Sequence, residues 1–176
     1  MEHLWAPWRA EYIRHEKATQ CIFCLKSSQR DTAGNPASDE SNFLLIRDRT
    51  CFALLNAFPY TGGHLMVAPY RHTGEMDDLT EDELRDLMLL TRRCQGLLRK
   101  AFRPHGFNLG LNVGSAAGAG FADHLHLHVV PRWNGDTNFM TVLADHRVVS
   151  SGLQQTYDKL MEQLDKTTAS RSHAHG

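Results

Sequence analysis

Phe121-Ala122-Asp123-His124-Leu125-His126-Leu127-His128-Val129-Val130-Pro131-Arg132-Trp133 carries the densest structural information in the chain. Its histidines fall at alternate positions with apolar residues between them. In an extended strand successive side chains point to opposite faces, so the pattern predicts a strand with one buried face, its three imidazoles projecting one way and Leu125, Leu127 and Val129 the other. Three such rings are a poor filling for a core, because each brings polar nitrogens that must be satisfied. One metal ion shared by all three is also disfavoured: the outer Cα atoms stand about 13 Å apart in a strand, whereas Zn–N bonds are about 2.0–2.1 Å. The spacing points to chemistry on a sheet face.

Directly upstream, Asn112-Val113-Gly114-Ser115-Ala116-Ala117-Gly118-Ala119-Gly120 is built of small residues. A glycine-rich loop by itself is a turn; placed just before a histidine strand it is a candidate phosphate cradle, because backbone amides can approach an anion closely there and form a nest. Further upstream, β-favouring stretches at 43–47, 51–55 and 63–68 predict antiparallel strands. Thr80-Glu81-Asp82-Glu83 is a capping box with Leu79 and Leu84 as its hydrophobic staple. Leu84, Leu87, Met88, Thr91, Cys94, Leu98 and Phe102 follow at helical spacing and predict one buried stripe, ended by Pro104 and Gly106. Strands near 107–113 and 124–131 and a last helix over 151–166 complete the set. Residues 1–20, with Trp5, Trp8, Tyr12 and Ile13, read as an amphipathic arm, 26–42 as a polar loop within a domain spanning 21–166, and 167–176 as a flexible tail.

The chain has 176 residues and a net charge of −1. That length suits one domain with a sizeable core, and the charge offers no basic footprint for long nucleic acid. No apolar run approaches the roughly 18 residues of a membrane span, and the first residues lack a signal-peptide core. A cytoplasmic protein is expected. Of the four cysteines, Cys21 and Cys24 form a Cys-x-x-Cys pair, while Cys51 and Cys94 sit in apolar settings. In a reducing compartment the pair is a redox or metal candidate. A thioredoxin-like role calls for a βαβ context that this region does not show, and zinc needs two further ligands.

His-φ-His-φ-His-φ-φ, with φ apolar, is matched in full at 124–130 and resembles the motif of the histidine triad nucleotide hydrolases and transferases. Gly63-His64-Leu65-Met66-Val67-Ala68-Pro69 resembles the strand that precedes that family's long helix, and Asn56 and Asn112 fall where the family carries polar residues. The likeness spans roughly residues 20–147. It implies an α+β fold with a five-stranded, mainly antiparallel sheet and two main helices, assembled as a homodimer. It implies His126 as the nucleophile attacking an α-phosphorus, His128 as the residue that binds phosphate oxygens and helps protonate the leaving group, and His64 as a fourth position that orients the triad or transfers a proton. Asn56 then meets ribose hydroxyls, Asn112, Gly118 and Gly120 meet phosphate, and apolar side chains near 43–55 sandwich the base. Similarity to zinc-bearing members implies structural Zn2+ on Cys21, Cys24, His72 and His124.

The implied substrate is a nucleotide, foremost a dinucleoside polyphosphate such as diadenosine tetraphosphate. Gly120-Phe121 departs from the Gln and Ser or Thr that common members carry before the first histidine, so main-chain contacts are expected to replace side-chain ones. Leu127 stands where phosphorylases of the resembling microbial branch carry Gln, which leans the expectation toward water as acceptor. A phosphate-dependent phosphorylase, a nucleoside phosphoramidase and a nucleotide sensor without turnover remain alternatives. Arg132 either attracts polyphosphate or pairs with Asp123 or Asp136, and Trp133 is expected to pack rather than touch substrate.

Overall fold

The computed structural model describes residues 20–29, 39–136 and 152–172, with side chains of the last segment as far as residue 166. All but Gln20 of the expected arm over residues 1–20, most of the polar loop over 26–42 and the last four residues of the tail lie outside the described residues. Five strands form one antiparallel sheet: β1 (Leu44–Arg47), β2 (Cys51–Leu55), β3 (Leu65–Pro69), β4 (Gly106–Leu111) and β5 (Leu127–Arg132), in the order β1-β2-β3-β5-β4. Among the described residues three α-helices accompany them: α1 (Ile22–Ser28), α2 (Glu81–Phe102) and α3 (Leu153–Ser172). No helix among the described residues is long and apolar enough to cross a membrane.

Both faces of the sheet are covered over β2 and β3, which departs from strands with one buried face. Ala53, Leu55, Leu65, Val67, Leu127 and Val129 pack against α2 and α3 in the larger core. On the opposite face Phe52, Leu54, Met66 and Ala68 meet Phe23 from α1. Covering both faces accounts for the near-continuous apolar runs of β2 and β3, in which every residue is buried.

The capping box of α2 forms as its sequence predicts: the Glu83 amide donates to the Thr80 hydroxyl at 3.2 Å, and the Thr80 amide donates to the Glu83 carboxylate at 2.8 Å. The buried stripe differs in detail, running through Leu87, Leu90, Thr91, Cys94, Leu97, Leu98 and Ala101. Met88 is 55% exposed. Positions 87, 90/91, 94 and 97/98 keep the 3.6-residue period, and 88 falls a full 100° off it. Arg103 ends the helix in the left-handed region (φ 50°), and Gly106 opens β4 instead of capping.

Two further boundaries differ. Lys26, Ser27 and Ser28 belong to α1, where Lys26 Nζ donates to the Asn42 carbonyl and Arg47 donates to the Ser27 carbonyl, so polar residues here bind the helix to the sheet edge. Helix α3 continues through Ser172, beyond the expected end at 166. The triad strand also starts late: His124 and His126 precede β5, because the Leu125 amide donates to Thr73 O (2.7 Å), in the loop that leaves β3, instead of to a strand partner.

Candidate active site and metal cluster

Register places the histidines. Met66 pairs with His128 and Val67 with Leu127, so His128 shares the α1 face of the sheet while Leu127 points into the larger core. His64, one residue before β3, is fully buried, and its Nε2 lies 2.9 Å from His128 Nδ1. His126 and His128 meet nearly at right angles with ring centroids 4.9 Å apart. His64, His126 and His128 thus form one group.

Hydrogen-bond partners settle where the protons sit. His126 Nδ1 lies 2.8 Å from the His124 carbonyl, which can only accept. A neutral His126 therefore carries its proton on Nδ1 and presents a lone pair on Nε2. Burial lowers its pKa, opposed by the bond to His124 O, so the ring is neutral near pH 7. At His64 the Tyr60 amide donates to Nδ1 at 3.1 Å, and the Asn56 amide nitrogen stands 3.3 Å from the same atom. Nδ1 of His64 must accept, so its Nε2–H donates to His128 Nδ1, and a neutral His128 holds its own proton on Nε2. Burial, then the neighbouring His128 and His126, push the pKa of His64 down to about 3, which keeps this chain of donors in one direction.

Cys21, Cys24, His72 and His124 form the second group, with one ligand atom from each within 4.8 Å of all the others. Cys21 Sγ and Cys24 Sγ lie 3.3 and 3.5 Å from His124 Nδ1, His72 Nδ1 lies 3.4 Å from Cys24 Sγ, and the two Nδ1 atoms are 3.2 Å apart. A tetrahedron on Zn–N bonds of about 2.0–2.1 Å and Zn–S bonds of about 2.3 Å has edges of about 3.4–3.8 Å. His124 Nε2 donates to Pro69 O at 2.9 Å, which leaves the Nδ1 lone pair facing the thiols. Carbonyl-held imidazole with the opposite nitrogen turned inward is the arrangement of a metal ligand. Burial and the adjacent Cys21 raise the Cys24 thiol to about 11 in the absence of a cation.

Other expected site residues fall as follows. Asn56 sits beside His64, its Oδ1 accepting from the Phe58 amide. Asn112 follows Leu111, the partner of Leu127, which puts it at the level of His126. Gly118 and Gly120 are exposed in the loop before the triad, Gly118 with φ +83°. Arg132 pairs with Asp136 (2.7 Å) and with Asn108, and Trp133 donates to Phe102 O. Leu44, Phe52 and Leu54 are at most 1% exposed beneath Phe23, so the expected base sandwich near 43–55 has no open face there. Leu127 is 4% exposed within the larger core, so it touches no acceptor, and the lean toward water loses its basis.

Sequence reading missed Phe23, the Tyr60 amide and Gly74. A Cβ at Gly74 would overlap the carbonyl oxygen of Ala122, so only glycine lets the loop bearing His72 lie against the segment bearing His124. Its place two residues after a candidate ligand was the available signal.

Residues 38–135 match the HIT domain family model. The chain belongs to the histidine triad family. It is 40% identical over 157 residues to a Mycobacterium tuberculosis protein named AP-4-A phosphorylase, covering 89% of this chain and 80% of that one. An asymmetrical bis(5'-nucleosyl)-tetraphosphatase of Schizosaccharomyces pombe is 34% identical over 93 residues, covering 53% of this chain and 50% of that protein. Among solved structures, a Zn-bound histidine triad family protein from Mycobacterium smegmatis shares the fold with a TM-score of 0.66 and 24% identity, covering 86% of this chain and 97% of the other.

Histidine protonation gives this site a pH signature. His64 has a folded pKa of about 3 against an ordinary 6.5, so below pH 6.5 the unfolded chain binds the proton first. Its contribution to stability is complete above about pH 6.5 and is lost as pH falls from there toward 3. Urea titrations across this range are expected to give a falling unfolding free energy, and a shallower fall in His64→Gln; equal slopes would contradict the assignment.

Proposed function

We propose that this chain cleaves dinucleoside polyphosphates at an α-phosphate through a nucleotidyl-histidine on His126. The observation that carries the reading is the 2.8 Å contact from His126 Nδ1 to the His124 carbonyl, which leaves Nε2 as an unprotonated nucleophile on a buried ring. Neutral imidazole attacks without prior loss of a proton. Nε2 forms a bond to the α-phosphorus as the bond to the bridging oxygen breaks, and the departing polyphosphate takes the electron pair. His128, holding its proton on Nε2, is placed to donate a hydrogen bond to the leaving oxygen, which departs as a polyphosphate anion. The P–N adduct leaves the His126 ring cationic, and its Nδ1–H bond to His124 O strengthens with the charge. An incoming phosphate oxygen then bonds to phosphorus as the P–N bond breaks, and the electron pair returns to Nε2 of a neutral His126.

His64 is read as the residue that keeps His128 in the donating tautomer, supported by the Tyr60 and Asn56 contacts. Beside its contacts with His64 and the Phe58 amide, Asn56 keeps a second N–H and a second lone pair that ribose hydroxyls can use. Asn112 and the amides near Gly118 and Gly120 are read as phosphate contacts, on their position beside His126 and in the loop before it. Inorganic phosphate is the acceptor we favour over water, because the M. tuberculosis relative at 40% identity is named a phosphorylase and Leu127 offers no opposing argument.

The Cys21, Cys24, His72 and His124 cluster suits structural zinc: four ligands close the site, four of their separations lie at 3.2–3.5 Å, near the edges of such a tetrahedron, and an open cavity of about 670 Å³ beside it gives an entry path. When bound, zinc would supply cross-linking of α1 to the segment before β5 and no chemistry at phosphorus. A homodimer is supported by β4, an edge strand that exposes Leu109. Two buried cysteines outside the cluster, Cys51 and Cys94, and a Cys21 and Cys24 pair suited to a metal favour a reducing, cytoplasmic setting.

With diadenosine tetraphosphate and phosphate the expected products are ADP and ATP; without phosphate, AMP and ATP at a lower rate. His126→Ala is expected to abolish turnover while leaving nucleotide affinity within about tenfold, as for a group acting mainly in the transition state. Undiminished turnover in that variant would end the mechanism, and equal rates with AMP as product in both buffers would make water the acceptor. Elemental analysis is expected to find about one zinc per chain, falling well below that in Gly74→Ala, where overpacking of this kind costs about 1–3 kcal/mol. Metal-free protein after mild purification would contradict the zinc assignment.

A further inference from the structure

Phe23 occupies a place that metal ligation does not require of it. It lies between Cys21 and Cys24 on α1 and is 1% exposed. Its ring stacks on that of His126 with centroids 4.7 Å apart and an interplanar angle of 29°. The same ring stands 5.1 Å from His124 and meets Phe121 edge-on at 6.1 Å and 84°. No other aromatic ring stacks on His126 among the described residues.

A nucleophilic imidazole needs its plane held as well as its tautomer. The Nδ1 bond to His124 O anchors one ring atom and leaves the ring able to rock about that bond, swinging Nε2 on the far side. A flat aromatic face at stacking distance opposes the rocking, because stacked rings attract with a preferred geometry. An aliphatic side chain of similar size would fill the volume but present no plane. Phe23 itself is held from several sides. Phe52, Leu54 and Met66 pack with it in the smaller core. Lys26 and the Arg47 contact at Ser27 O tie the helix to the sheet edge. The thiols on either side of Phe23 converge with His72 on His124 Nδ1.

We propose that Phe23 is a positioning residue for His126: its stacked ring, braced by the Cys21, Cys24, His72 and His124 cluster, holds the imidazole plane so that Nε2 faces the reacting phosphorus. The inference rests on the assignment of His126 as nucleophile. It makes the α1 segment a mechanical link, so that closing the cluster sets nucleophile geometry with no ligand of the cluster touching substrate. A reacting atom displaced by about 1 Å can lose on the order of a hundredfold in rate, so a small rocking freedom has a measurable cost.

NMR of histidine-labelled, zinc-loaded protein reads the stack directly, since ring protons of His126 lying over a phenyl face are displaced upfield. That displacement is expected in the wild type and lost in Phe23→Leu, with fold and zinc content retained. In the same variant kcat is expected to fall on the order of tenfold to a hundredfold with KM changed by less than about threefold, and Phe23→Tyr, which keeps a flat ring, to recover most of the loss. Chelation of the wild type is expected to abolish the upfield displacement. Ordinary ring-proton positions for His126 in the wild type would overturn the proposal without any variant having to fold. So would a folded, zinc-loaded Phe23→Leu with unchanged kcat, and a displacement that survives chelation would remove the cluster's part. If His126→Ala keeps its turnover, the nucleophile assignment fails instead, while the ring shifts still report the stack.

Discussion

A neutral imidazole is a nucleophile at one nitrogen only, and in this chain the carbonyl of His124 decides which one. By accepting from His126 Nδ1 at 2.8 Å it leaves Nε2 open, and in the proposed mechanism it would stabilise the positive charge of a phosphorus-bound ring. His124 therefore serves three partners: its carbonyl holds His126, its Nε2 donates to Pro69 O, and its Nδ1 faces the two thiols and His72. Any movement of the backbone at 124 would disturb the nucleophile and the cluster together. The Thr73 carbonyl accepting from Leu125, and the glycine at 74, keep that backbone in place against the loop that leaves β3.

The sheet separates the tasks. Its α2 and α3 face is filled by the larger core, mostly aliphatic with Cys51, Cys94 and Tyr157, whereas the α1 face carries His128 beside the smaller core around Phe23 and Phe52. Alternation through 127–129 turns His128 to the α1 face and sends Leu127 and Val129 into the larger core, and Leu125 is buried as well. His64 joins from just before β3, and its depressed pKa follows first from its burial and then from the neighbouring His128 and His126.

Much of this was legible in the residues. The alternating histidines, the capping box at Thr80 and Glu83, the bounds of β2 and the grouping of Cys21, Cys24, His72 and His124 all follow from short-range patterns or from the family likeness. Local pattern did not reach the late start of β5, because the segment before it bonds to Thr73, some fifty residues earlier, instead of to a strand. Nor did it place Met88, where a three-or-four-residue rule is too coarse to separate the edge of a buried stripe from the solvent side. Phe23 is the clearest case. Between two cysteines it reads as a spacer, and its stack on His126 is a contact between distant parts of the sequence that only the folded chain displays.

The most direct test of the account is to trap the adduct. Purified protein mixed with diadenosine tetraphosphate labelled at an α-phosphate, quenched in alkali during turnover and digested, should yield a peptide carrying an adenylyl group on His126 that is released by acid, as expected for a phosphorus–nitrogen bond. Turnover with no such peptide, or with the label on another side chain, would contradict it.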